Sequence, residues 1–117
     1  VPKYTNENLV PPDNVNLKQI RPFGSGEYIA NPDGSMSTER TMTFNIEGQE
    51  VLAPSLWMTP NGPVDLSRNP DTIVRAIIEY ERRTGKKFPR FKTPEEAKQF
   101  AIGRSQSGGR GAGELTK

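Results

Sequence analysis

The chain has 117 residues, no cysteine, no histidine, eleven glycines, eleven prolines and a hydrophobic fraction of 32%, which supports one small domain with a modest core. Without cysteine there is no disulfide framework, and without histidine the commonest base and metal ligand is missing, so acid–base chemistry or a metal site would fall to Asp and Glu alone. The net charge of +2 is divided: residues 1–74 carry five Lys/Arg against nine Asp/Glu, and residues 75–117 carry eleven against five, an acidic region followed by a basic one.

Residues 1–24 hold four prolines and show no sustained period, which predicts an extended arm without stable structure of its own. Tyr4, Leu9, Val10, Val15, Leu17, Ile20 and Phe23 punctuate it as isolated apolar anchors. Of these, Tyr4, Leu9, Val10, Leu17, Ile20 and Phe23 form the candidate partner-binding set. Phe23–Tyr28, FGSGEY, lacks the Gly-Lys-Ser/Thr ending of a phosphate loop and is expected to be a hinge.

The stretch 25–103 reads as the folded domain. A short strand at Glu27–Ala30 leads into a turn at Asn31–Ser35, NPDGS. Met36–Ile46 then alternates, with Met36, Thr38, Arg40, Met42, Phe44 and Ile46 in one register and polar residues in the other, as a half-buried antiparallel strand does. A reversal at Glu47–Gln49 precedes a returning strand at Glu50–Trp57, in which Pro54 predicts an edge position or a break. Asn61–Pro63 marks a loop.

Two helices follow. The first is expected to start with Asn69 as N-cap, Pro70 at its first position and Asp71 near the positive end of the dipole, and to stop at Gly85. Ile73, Val74, Ile77 and Ile78 recur along it at helical spacing. The second is expected to start with Thr93 as N-cap, Pro94 and a capping box from Glu96, to turn Ala97, Phe100 and Ala101 inward, and to end near Gly103. Residues 104–117, rich in glycine, read as a flexible tail. The expected architecture is α+β: a small antiparallel β-meander packed on two C-terminal helices, between an extended N-terminal arm and a Gly-rich C-terminal tail. Phe44, Val51, Leu52, Ile73, Ile77 and Phe100 are its expected core.

Paired carboxylates are the one enzymatic option to test. Glu27, Glu39, Glu47 and Glu50 lie in or beside the strands, where solvated charges are ordinary and a deep cleft is not expected. Ser25, Ser35 and Ser55 have no histidine base. No catalytic, cofactor-binding or metal-binding residue is therefore assigned, and no cofactor or small-molecule substrate is expected. The basic run 81–92 places Arg82, Arg83, Lys86, Lys87, Arg90 and Lys92 around Phe88 and Phe91. Such interleaving can grip phosphates and stack on bases, or it can be a core-closing aromatic pair beside a solvated helix end. The near-neutral total charge favours the second.

Several of these segments together resemble a small module of tailed-bacteriophage virion proteins, sometimes attached to peptidoglycan-cleaving domains. The similarity lies in the Asn31–Ser35 turn, the Ser37–Phe44 strand with Arg40, the Gly48–Pro54 strand, the helix end from Tyr80 to Gly85, and Phe91–Ala97 with its Phe, Glu and Ala spacing. Ala53 stands where the module commonly has Ile, and residues 58–70 form a longer loop. The resemblance implies a virion structural protein, capsid- or tail-associated and made in the host cytoplasm, clasping other virion proteins in multiple copies through its termini. A packaged or ejected accessory protein that contacts DNA through residues 82–92 is the alternative. No run of about 18 apolar residues suggests a membrane span, and no charged-then-apolar leader is evident.

Overall fold

A computed structural model describes residues 3–24, 26–37, 40–106 and 115–116. It is an α+β globule whose strands are β1 (Lys3–Thr5), β2 (Arg21–Pro22), β3 (Tyr28–Ala30), β4 (Met36–Ser37), β5 (Thr41–Ile46), β6 (Gln49–Pro54), β7 (Leu56–Thr59), β8 (Gly62–Asp65) and β9 (Arg90–Phe91), with helices α1 (Pro70–Thr84) and α2 (Pro94–Gln106). The strands form three small sheets, ordered β1-β3-β4, β2-β7-β8 and β5-β6-β9. Among the described residues every pairing is antiparallel except the parallel one between β1 and β3.

The predicted alternation holds within β5, where Phe44 is buried, Met42 and Ile46 are half-buried, and Thr43 and Asn45 are exposed. Upstream it fails: Met36 and Arg40 are exposed, and Thr38 lies outside the described residues. Glu47 (φ 52°) and Gly48 (φ 81°) make the two-residue reversal that pairs Ile46 with Gln49. Positive φ at both positions matches the twist of the flanking strands.

The returning strand breaks at Ser55. Its N–H donates to the Arg40 carbonyl at 2.7 Å and its carbonyl accepts from Leu66 N–H at 2.8 Å. The chain therefore leaves one sheet and enters another, as the proline at position 54 leads one to expect. β6 is nevertheless the middle strand of its sheet. Pro54 is tolerated because it occupies the last position, beyond Glu50 and Val51, where β9 pairs. The loop expected at Asn61–Pro63 is instead part of a tight hairpin between β7 and β8, in which Thr59 faces Gly62.

Trp57 is the centre of the main core. Its Nε1–H donates to the Pro54 carbonyl at 2.8 Å, and Tyr80 and Phe88 meet its ring edge-on with centroids 6.1 and 5.8 Å away. Such geometry adds to the burial of the rings. Around it pack Phe44, Val51, Leu52, Ile73 and Ile77, as expected, together with Val64 and Leu66. Phe100 does not join them: it is 40% exposed and rests on Phe91, centroids 5.3 Å apart. Helix α2 leans on β5, β6 and β9 along a narrow strip, which buries Ala97 and leaves longer side chains at its margin.

The helix ends differ in detail from expectation. Asn69 makes no side-chain cap bond; its carbonyl accepts from Thr72 N–H and Ile73 N–H at 3.0 and 3.1 Å. Gly85 does close α1 in the left-handed conformation. At α2, the Thr93 hydroxyl oxygen accepts from Glu96 N–H at 3.3 Å, but the Glu96 carboxylate meets the Thr93 hydroxyl instead of completing the box on a backbone amide. The helix continues past Gly103 to Gln106.

Residues 3–24 lie on this domain. β1 joins β3, Val10 N–H donates to the Pro63 carbonyl at 2.8 Å, and β2 places Pro22 opposite Trp57. Gly62 is the point of closest approach: at φ 132°, a Cβ there would stand 3.0 Å from the Asn8 carbonyl oxygen. The segment after residue 106 falls mostly outside the described residues, but Leu115 is buried in the main core.

Candidate functional site

Among the described residues two carboxylates are buried, and each is held by an arginine. Glu27 Oε1 accepts from Arg21 Nη1 and from Gly24 N–H, both at 2.6 Å, while Oε2 accepts from Arg21 Nη2 at 3.1 Å. The Arg21 bond, aided by the Gly24 amide, holds the Glu27 carboxyl below the usual carboxylate range despite its burial. The hinge expected at Phe23–Tyr28 is thus a turn wound around a carboxylate; Ser25 lies outside the described residues.

Glu81, on the last turns of α1, is 5% exposed. Its Oε2 accepts from Arg90 Nη1 at 2.7 Å and Phe88 N–H at 2.8 Å, and its Oε1 from Arg90 Nη2 at 2.6 Å. Burial pushes the Glu81 carboxyl up, but Arg90 and the Phe88 amide outweigh it and leave the group below its ordinary value. Paired in this way, Glu27 and Glu81 stay charged at neutral pH and fix backbone rather than shuttle protons. Of the other strand carboxylates, Glu47 is exposed, half-buried Glu50 accepts from Asn45 Nδ2 at 3.3 Å, and Glu39 lies outside the described residues. Ser35 is an exposed turn residue, and Ser55 is buried.

The structure divides the basic run. Arg82 pairs with Glu79 at 2.6 Å and Arg90 with Glu81. Arg83 donates to the Lys18 carbonyl and, at 2.5 Å, to the Ile20 carbonyl, while its guanidinium sits 5.6 Å from the Tyr80 ring centroid. Lys86, Lys87 and Lys92 are exposed, and their ammonium groups form no ion pair among the described residues. Phe88 is buried against Trp57 and so offers no open face for a base, while Phe91 is half-buried against Phe100.

The arm candidates also separate. Ile20 and Phe23 are 0% exposed, the first in the main core and the second in a smaller cluster with Ile29, Leu56 and Met58. Tyr4 and Leu9 are half-buried against that cluster, and Val10, Val15 and Leu17 against the main core.

Two features had little voice in the sequence. One is the Glu81–Arg90 clamp, whose members look like ordinary charges of a basic run. The other is Leu115, an isolated apolar residue in a polar tail, which borders an open groove of about 480 Å³ lined also by Lys87, Phe88, Arg90, Phe91, Phe100 and Arg104. Among the described residues no three His, Cys, Asp or Glu converge as a metal site would require, and no helix is long and apolar enough to cross a membrane. No protein-family model, curated protein or solved structure matches the chain.

Proposed function

We propose that the chain is a structural subunit of a tailed-phage virion, capsid- or tail-associated, that works by contact with neighbouring subunits and not by catalysis. The observation that carries this reading is that the residues behind the resemblance serve the architecture. Asn31 Nδ2 bridges Ser35 and Ser37, both at 3.0 Å. Arg40 donates to Ser37 Oγ at 2.9 Å and reaches Asp65 at 3.4 Å. The Thr84 hydroxyl returns to the Tyr80 carbonyl at 2.7 Å, and Phe91 supports Phe100. A motif whose parts each brace a turn, a strand end or a helix end suits a module selected for shape.

The buried carboxylates support the same reading, because both are spent on arginines and backbone amides. Particles purified from infected cells that make an epitope-tagged chain should contain it in several copies, measured by quantitative mass spectrometry. Recovery of the chain only in the soluble fraction would overturn the reading.

The DNA-contact alternative draws on the six cations of residues 82–92, three of which already hold internal partners. Binding to duplex DNA should therefore be weak, with a log–log salt slope shallower than about −3. A steeper slope would move the chain to the DNA-associated class.

A further inference from the structure

Two dipeptides of the chain can cyclise onto their own backbone, Asp33-Gly34 and Asn61-Gly62; no other Asp or Asn is followed by glycine. In each, the glycine leaves the attacking nitrogen unhindered because it has no Cβ. The fold treats the two differently. Asp33 Oδ1 accepts from Ser35 N–H at 2.9 Å and from the Ser35 hydroxyl at 2.6 Å, and Gly34 N–H is spent on the Asn31 carbonyl at 3.0 Å. The bonds from Ser35 hold the Asp33 carboxyl below its usual range, and an ionised carboxylate resists nucleophilic attack. Asn61 is exposed at the tip of the β7–β8 hairpin. Its backbone N–H donates to Thr59 Oγ1 at 3.1 Å, but its carboxamide makes no hydrogen bond among the described residues.

We propose that Asn61 is a site of spontaneous backbone modification, where the chain converts to aspartyl and isoaspartyl forms. The Gly62 nitrogen bonds to Asn61 Cγ, the carboxamide nitrogen leaves as ammonia with the Gly62 proton, and a succinimide ring closes. Water then opens the ring. Breaking the bond from nitrogen to Cγ gives aspartate; breaking the bond to the main-chain carbonyl carbon gives isoaspartate. Both products add a negative charge, and isoaspartate also routes the backbone through an extra carbon. The hairpin has no slack for that carbon, because a Cβ at Gly62 would already stand 3.0 Å from the Asn8 carbonyl oxygen. The next carbonyl, that of Pro63, accepts from Val10 N–H at 2.8 Å, so isoaspartate at position 61 loosens residues 8–10 from the domain. Thr59 faces Gly62, and its hydroxyl donates to the Gly62 carbonyl at 2.8 Å. Those contacts hold the tip closed, so the ring forms during local opening of the hairpin, and faster as rising pH removes the Gly62 amide proton.

The test holds the purified full-length chain at neutral and at mildly alkaline pH, beside its Asn61→Gln variant. Peptide mapping by mass spectrometry and methylation by an isoaspartyl methyltransferase follow the conversion. The peptide carrying residue 61 should shift to the mass of the acid, sooner at alkaline pH, with methyl groups taken up at position 61 and not at Asp33. Asn61→Gln, which would need a larger ring, should lose that methylation. Position 61 is exposed, so the variant keeps the fold. Hydrogen exchange at the Val10 amide should be faster in the converted chain than in the fresh one. Retention of the amide mass at position 61 through the alkaline incubation overturns the proposal, as does methylation that builds up at Asp33 as fast as at position 61. Unchanged Val10 exchange in converted chain overturns the loosening of residues 8–10.

Discussion

Arg83 and Ile20 stand 63 positions apart, yet the Arg83 guanidinium donates to the Ile20 carbonyl at 2.5 Å and also to the Lys18 carbonyl. One side chain of the basic run thereby fastens the first segment of the chain to α1. The planar fork reaches two carbonyls at once while its face lies over Tyr80, an arrangement an ammonium cannot copy.

Replacing Arg83 with Ala should lower stability by about 1–2 kcal/mol, a charged hydrogen-bond loss discounted for the exposure of the site. Arg83→Lys should recover only part of it. Urea midpoints give the ranking. Trypsin should also cut after Lys18 sooner in the Ala variant, which a loss of stability spread evenly over the fold would not produce.

Glu81→Gln should cost about 2–3 kcal/mol, because it leaves Arg90 partly buried without its counter-charge. The pH dependence has a definite sign. The folded-state carboxyl is held below its ordinary value, so its stabilisation is present above the ordinary carboxylate range and is lost as pH falls through the lowered folded value. Glu27 acts in the same sense. Denaturant midpoints measured from neutral pH into acid should therefore drop less steeply in Glu81→Gln than in the unmodified protein. An unchanged acid slope would show that other groups govern acid unfolding.

Glu47 holds φ 52° in the reversal between β5 and β6, a conformation in which asparagine is more at ease than glutamate. Glu47→Asn should raise stability by about 0.5–1 kcal/mol. The thermal midpoint should rise without a change in the far-ultraviolet spectrum.

Ser55 is 1% exposed, and its hydroxyl has no hydrogen-bond partner among the described residues, while its backbone joins β6 to β7 and bonds to Arg40 and Leu66. The hydroxyl costs desolvation and the backbone supplies the linkage. Ser55→Ala should therefore be neutral or up to about 1 kcal/mol stabilising. A loss above about 1 kcal/mol in equilibrium unfolding would reveal a buried water bonded there.

Local pattern alone determined much of this protein. The β5 alternation, the Glu47-Gly48 reversal, the break near Pro54, Pro70 and Gly85 at the two ends of α1, and the α+β class all follow from preferences that act within a few residues. Most of the apolar core was legible for the same reason. Phe100 was not, because helical spacing says which residues share a face but not how wide a strip the neighbouring sheet covers.

Tertiary structure alone decided the fate of the two ends and of the charges. Ile20 and Phe23 look like the other apolar residues of a proline-rich segment, and only the vacancy beside Trp57, Leu56 and Met58 makes them core. Arg82, Arg83 and Arg90 look like the neighbouring lysines, and only the positions of Glu79, the Ile20 carbonyl and Glu81 commit them to internal bonds. A charge or a lone apolar side chain carries no local signature of its partner; the partner is chosen by contacts between segments tens of residues apart.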